Sequence, residues 1–132
     1  MAVTHSGTAK AAATDAVTAL LGTSANLTFR LTGTIGSPGA VVATLPLTTP
    51  NPFGAANGTT GIATAATITA DAAAAGNASP AATAALQTSG ATLIIHCAVA
   101  ASASDINMSN GLTVATGDTV SCSSLTYQAI PT

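Results

Sequence analysis

The feature that most constrains this chain is a change of hydrophobic period at Leu27. From there Leu27, Phe29 and Leu31 alternate with Thr28, Arg30 and Thr32, the spacing of a half-buried strand with one face in a core and the other in solvent. Similar runs recur toward the C-terminus, separated by turn-forming residues. Ile35-Gly-Ser-Pro-Gly39 divides the first run from a second that carries Val41, Ala43, Leu45 and Leu47 on one parity, and a hairpin is the natural reading. Between Thr48 and Thr60, the residues Pro50, Pro52, Gly54 and Gly58 block both regular structures, which makes a long irregular connection with Phe53 as its one large anchor. Ile62 to Ala70 alternates again. Thr92 to Ala101 is apolar on both faces and fits the central strand of a sandwich, and the last third, from Ile106 through the Gly117-Asp118 turn to Tyr127, reads as two or three further strands.

One segment breaks this pattern at each end of the regularity scale. Ser6 to Leu21 repeats Ala9, Ala12, Ala13, Val17, Leu20 and Leu21 near helical spacing, with Ser6 at the N-cap and Gly22 at the C-cap. Its stripe is narrow and mostly methyl, so it is expected to pack on a sheet or a neighbouring subunit. Asp71 to Thr83 is nearly pure alanine, which permits helix, but Gly76-Asn-Ala-Ser-Pro80 argues for a wide loop. Short strands without interleaved long helices point to a mainly β fold, an antiparallel β-sandwich of jelly-roll-like or immunoglobulin-like type with one N-terminal α-helix. In 132 residues this is one structural unit, with residues 1–25 as arm and helix and residues 26–132 as the sandwich.

Charge removes several function classes. Only 5% of residues are charged, against roughly 25% in an ordinary domain, and Lys10 and Arg30 are the only permanent cations beside Asp15, Asp71, Asp105 and Asp118. Two cations cannot neutralise a run of phosphates, so no nucleic acid is expected as partner. No stretch holds the roughly 18 to 20 large apolar residues that span a bilayer, and the N-terminus has no cationic region followed by a Leu-rich core, so neither membrane nor secretory signal is expected. A neutral surface of hydroxyls and methyls suits a subunit held at fixed sites in an assembly.

Chemistry is equally sparse. Nucleophilic catalysis needs a base beside the nucleophile, and the conventional bases are His5, in the arm, and His96, beside Cys97 on a strand where neighbours point to opposite faces. His96 is read as a strand residue with a satisfied ring. Cys97 and Cys122 have neither CxxC spacing nor a histidine at metal-site spacing and are read as small buried hydrophobes; a disulfide would require their strands to be neighbours. The four aspartates form no paired-carboxylate or EF-hand pattern, and Asp105 and Asp118 suit turns in which a carboxylate accepts backbone N–H bonds. Gly33 to Gly39 lacks the Gly-Lys-Ser/Thr ending that cradles phosphate. The chain is therefore expected to be no enzyme and to take no cofactor, metal or small-molecule substrate.

Met1-Ala-Val-Thr-His-Ser6, Phe29-Arg30, Ala43-Thr-Leu-Pro-Leu47 before the Pro52-Phe-Gly-Ala-Ala56 loop, Ser104-Asp-Ile-Asn-Met-Ser109, Gly117-Asp-Thr-Val-Ser121 and Ser123-Ser-Leu-Thr-Tyr127 form an ordered series along nearly the whole chain. In order and spacing it resembles a family of small tailed-phage structural proteins, most closely in the last thirty residues. The alanine-rich Asp71 to Thr83 stretch and the scarcity of charge depart from that family. The resemblance implies a virion component of the head decoration or cement type, assembled in the host bacterial cytoplasm and settled on the capsid surface. Its partners would be the major capsid protein and copies of itself, as dimer or trimer. A tail, neck or fibre protein is the second reading, and an ice- or glycan-binding surface protein, prompted by Thr60, Thr64, Thr67 and Thr69, a remote third. Cementing needs arms and loops that bridge neighbours, and the candidate contacts are Met1, Val3 and His5 in the arm, Pro50, Pro52 and Phe53 in the loop, and Ile130 and Pro131 in the tail.

Overall fold

Ser6 caps the helix as its chemistry suggests, whereas the C-cap is Leu20 and not Gly22, which lies two residues further on. The computed structural model describes residues 2–108 and 110–131, so Met1 lies outside the described residues. Ser6 is extended (φ −64°, ψ 158°) and its hydroxyl accepts the Ala9 N–H at 3.2 Å, which starts α1 at Gly7–Ala19. Gly22, at φ 72°, turns the chain away from the helix axis, a backbone that glycine adopts without a β-carbon clash. The inner side of α1 offers only Ala11 and Thr14 as buried residues. Its docking therefore depends on close approach and hydrogen bonds. The Thr14 hydroxyl donates to the Gly61 carbonyl at 2.7 Å and accepts the Ala129 N–H at 3.0 Å, which ties the helix to both a loop and the C-terminal segment. Gly61 sits at φ 75° directly against Lys10, where a β-carbon would collide with the Lys10 side chain.

The strands are β1 (Ala25–Arg30), β2 (Val41–Pro46), β3 (Ala63–Thr64), β4 (Thr83–Thr88), β5 (Leu93–Ala100), β6 (Ile106–Asn107) and β7 (Thr126–Tyr127). Five form one sheet in the order β2-β1-β4-β5-β6, and β3 pairs with β7. The β1–β2 hairpin forms as the alternation predicts. Register then sorts the side chains into rungs. Leu45–Leu27–Leu86–Ile95 and Ala43–Phe29–Ala84–Cys97 project to one face, and Thr44–Thr28–Ala85–His96 to the other. The apolar rungs join Leu21, Leu47, Phe53, Ala63, Val114 and Val120 in one buried cluster. Leu21, Leu27, Leu45 and Val42 are its largest fully buried side chains, each contributing about 1.5–3 kcal/mol by leaving water. Much of the remainder is alanine.

The molecule is mainly β with a single short N-terminal helix and a mixed sheet, and several expectations need correction. β1 is not half-buried: flanked by β2 and β4, it also buries Thr28 (1% exposed) and Arg30 (8%) on its polar face. The sheet is not wholly antiparallel, because β6 pairs with β5 in parallel. A return of only five residues, Ala101–Asp105, achieves this by curling back through Ala103 at φ 54°. The Asp105 carboxylate then accepts the Ala98 N–H at 2.9 Å, where the ladder to β6 has ended. β5 is not a fully covered central strand either, since its outer neighbour is two residues long and Leu93 to Cys97 remain half-buried. Of Ile62 to Ala70 only Ala63–Thr64 is strand, followed by single bridges from Ala65 to Phe53 and Ile68 to Leu47. Those partners lie at the end of β2 and in the Pro-rich loop, which cannot continue a ladder.

The alanine-rich stretch from Asp71 is a wide loop up to β4, as its interruptions predict. It lies along the free edge of β2: Asp71 Oδ2 accepts the Thr44 N–H at 2.9 Å, and the Gly76 N–H donates to the Val42 carbonyl at 2.9 Å. Among the described residues the last third supplies just β6 and β7 as strands, with Asp71↔Val120 as an isolated bridge. Among the described residues no helix is long and apolar enough to cross a membrane. Gly61→Ala is expected to cost about 2 kcal/mol or more, because it combines a left-handed backbone with a clash at α1. Gly36→Ala, where an added β-carbon meets nothing within 4 Å, should stay within about 0.5 kcal/mol of wild type in urea unfolding.

Candidate functional site

The two acidic turns of the last third and the short β6 strand converge on an open groove of about 690 Å³. Phe29, Val114 and Val120, all buried, contribute to its lining from the core, while Thr113, Thr119 and Ser121 supply exposed hydroxyls. Two carboxylates line it, and both already hold backbone. Asp105 Oδ2 accepts the Ala98 N–H at 2.9 Å, and Asp118 Oδ2 accepts the Ala115 N–H at 2.8 Å, the turn role its sequence position suggests. Cys122 also lines the groove and donates to the Ser124 carbonyl at 3.3 Å. The lining contains no histidine, lysine or arginine, so its serines and its thiol stand without a basic partner. Among the described residues no group of three or more His, Cys, Asp or Glu side chains could hold a metal ion. The arrangement offers hydrogen bonding and shape.

The other two carboxylates behave alike. Asp15 Oδ1 accepts the Ala56 N–H at 2.7 Å and so pins the Pro-rich loop to α1, and Asp71 takes N–H groups of both Thr44 and Ala73. Arg30 completes the set from the opposite sign. Its Nε donates to the Thr28 hydroxyl at 3.1 Å, Nη1 to the Gly39 carbonyl at 2.8 Å and Nη2 to Gln87 Oε1 at 2.8 Å. Its acceptors are neutral, Thr28 and Gln87 are themselves buried, and the guanidinium fork locks the hairpin turn onto the polar face of the sheet. Sequence alternation alone places Arg30 in solvent. The signal for its role is the clustering of Thr28, Arg30 and Gln87 on one face, which only register reveals.

The histidines and cysteines are separate. His5 is exposed in the arm. His96 does not have the satisfied ring its strand position predicts: Nε2 is buried without a hydrogen-bond partner among the described residues, and its rung neighbour Ala85 offers only a methyl group. Cys97 and Cys122 are both free thiols, half-buried at the margin of the core. Burial, reinforced by the Asp105 carboxylate, pushes the Cys97 thiol from 9.0 up to about 11, and burial also raises that of Cys122.

Of the candidate contact residues, Val3, His5, Pro50 and Pro131 are exposed, and Ile130 is half-buried. Pro52 and Phe53 are buried and so do not serve as surface contacts; Phe53 bridges to Ala65 and joins the core because a loop this poor in large side chains needs its one aromatic as an anchor. No family model, curated protein or solved structure matches the chain.

Two measurements check this description. Arg30→Lys should lower stability by about 1–3 kcal/mol in urea, since one ammonium cannot reach three acceptors placed for a fork and leaves buried oxygens unpaired. For Cys97, whose thiol is raised in the folded state, the unfolded chain loses its proton first. The stability it contributes is complete below pH 9.0 and is lost as pH rises toward about 11. Cys97→Ala should flatten the stability profile across that window.

Proposed function

We propose that this chain is a non-enzymatic structural protein of a tailed-phage virion, which decorates the capsid and stabilises it by binding at capsomer junctions. The observation that supports this reading most is the use of charge. Of two basic and four acidic side chains, Arg30 and all four aspartates are engaged in holding the chain's own backbone and side chains in place. What remains for partners is hydroxyl, methyl and peptide surface, which suits burial against protein at fixed sites and gives little purchase on phosphate or on a charged substrate. The groove supports the same reading from the side of chemistry, because its nucleophilic atoms stand without a basic neighbour.

In this reading the partners are the major capsid protein and further copies of the chain, as dimer or trimer, at the outer surface of the particle. The β3–β7 pair and the loops over the apolar rungs act as the second layer of a sandwich, with the five-stranded sheet as the first. The exposed Pro50 and the half-buried Ile130 belong to the contact surface.

Quantitative mass spectrometry of purified particles tests the proposal. A capsid role requires on the order of hundreds of copies, since a closed symmetric shell repeats each junction many times. A few to a few dozen copies would move the chain to the tail, neck or fibre, and absence from mature particles would overturn the virion reading. Filled heads lacking the protein should also lose infectivity faster on heating, and unchanged resistance would contradict the stabilising role.

A further inference from the structure

We propose that the N-terminal arm of one copy adds as a strand to the β6 edge of a second copy, lying in the groove beside Asp105 and Ser121. This goes beyond the capsid reading, and it concerns contacts among copies of this chain alone.

The two edges of the sheet are treated differently. Along β2 the chain covers its own edge: the Thr44 N–H goes to Asp71, the Val42 carbonyl accepts from Gly76, and the Pro46 carbonyl accepts the Thr69 N–H at 2.8 Å. The β6 edge instead opens into the 690 Å³ groove, whose lining includes Ile106, Asn107 and Met108. Successive amides of a strand point to opposite sides. The Met108 N–H turns inward to the Ala100 carbonyl at 2.9 Å, so the Asn107 N–H points away from β5 along the open side. An edge whose Asn107 N–H has no partner among the described residues, beside a trough lined mainly by polar groups, is a template for strand addition.

The arm fits that template. Ala2 to His5 are all exposed, Val3 at 79%, and none of them hydrogen-bonds to another described residue. Ser6, at the root of the arm, is already extended. Val3 and Thr4 are β-branched and favour a strand. The groove carries two carboxylates and the arm none, so no like charges meet. Five residues from Ala2 to Ser6 reach roughly 17 Å when extended, enough to run the length of Asp105 to Met108. Arm and groove are different surfaces of one chain, and the arm stands outside its own groove, so the contact is head-to-tail and closes into a ring where the rotation allows.

Cross-linking between two preparations of the full chain tests the proposal. Both carry Cys97→Ala and Cys122→Ala; one adds Val3→Cys, the other Ser121→Cys in the groove or, as control, Ser89→Cys outside it. Each chain then holds a single thiol, so a bond between positions 3 and 121 on mixing and oxidation with oxygen and copper phenanthroline joins two chains. The expected yield at 121 is at least tenfold that at 89, and equal yields overturn the proposal. Sedimentation of the chain with its native cysteines gives a second reading that no cysteine replacement affects. Val3→Asp, at a side chain that touches little of its own fold, should leave the unfolding midpoint unchanged at concentrations where the chain is monomeric and weaken self-association at least tenfold. Unchanged association, or a native chain that stays monomeric at every concentration, would overturn it. Neither result alters the copy number in particles, so this inference and the capsid reading fail separately.

Discussion

A chain built from alanine, threonine, serine and glycine has few side chains large enough to hold long loops by burial, and the rest of this structure follows from that constraint. Ordering a residue costs about 1–2 kcal/mol of backbone entropy, while burying one methyl-sized group returns about 0.8 kcal/mol. The segment from Thr48 to Ala82 includes only two residues of regular strand. Hydrogen bonds worth about 1 kcal/mol each therefore carry much of its order. Asp15 reaches Ala56 and Asp71 reaches Thr44, each tying loop backbone to helix or strand. Asp105 and Asp118 do the same for the last third. Thr14, buried on α1, ties the helix to Gly61 and Ala129.

This use of charge links fold to function. In an ordinary domain charged groups decorate the surface, confer solubility and recognise partners. Here Arg30 lies in a buried network with Thr28 and Gln87, and the carboxylates hold backbone, so few are free for an external partner. In the proposed reading, contact with other proteins comes from shape, hydroxyl groups and strand edges. The sheet has one edge covered by its own loop and one that borders the groove, and elsewhere on the surface the arm makes no hydrogen bond to another described residue.

Local features were legible in the sequence where local chemistry decides them. Ser6 marks the helix start, the Ile35 to Gly39 turn marks the hairpin, and Gly76 to Pro80 excludes helix from an alanine-rich stretch that propensity alone would allow. What was not legible depends on distant pairing. The parallel β5–β6 contact rests on a five-residue return that strand periodicity does not encode. The burial of Arg30 follows from β1 lying between β2 and β4, and of Pro52 and Phe53 from a core that needs the loop's aromatic. The candidate groove was not legible in the sequence, because its walls come from segments that share no periodic pattern.

Hydrogen exchange of the isolated chain tests the central claim most directly. If carboxylates and a threonine hydroxyl hold the loops, the amides of Thr44, Ala56, Ala98, Ala115 and Ala129 exchange far more slowly than unstructured peptide, though most lie outside the regular ladder bonds. Exchange of these five at the rate of an unfolded chain, with the β1 and β4 amides still protected, would contradict the account.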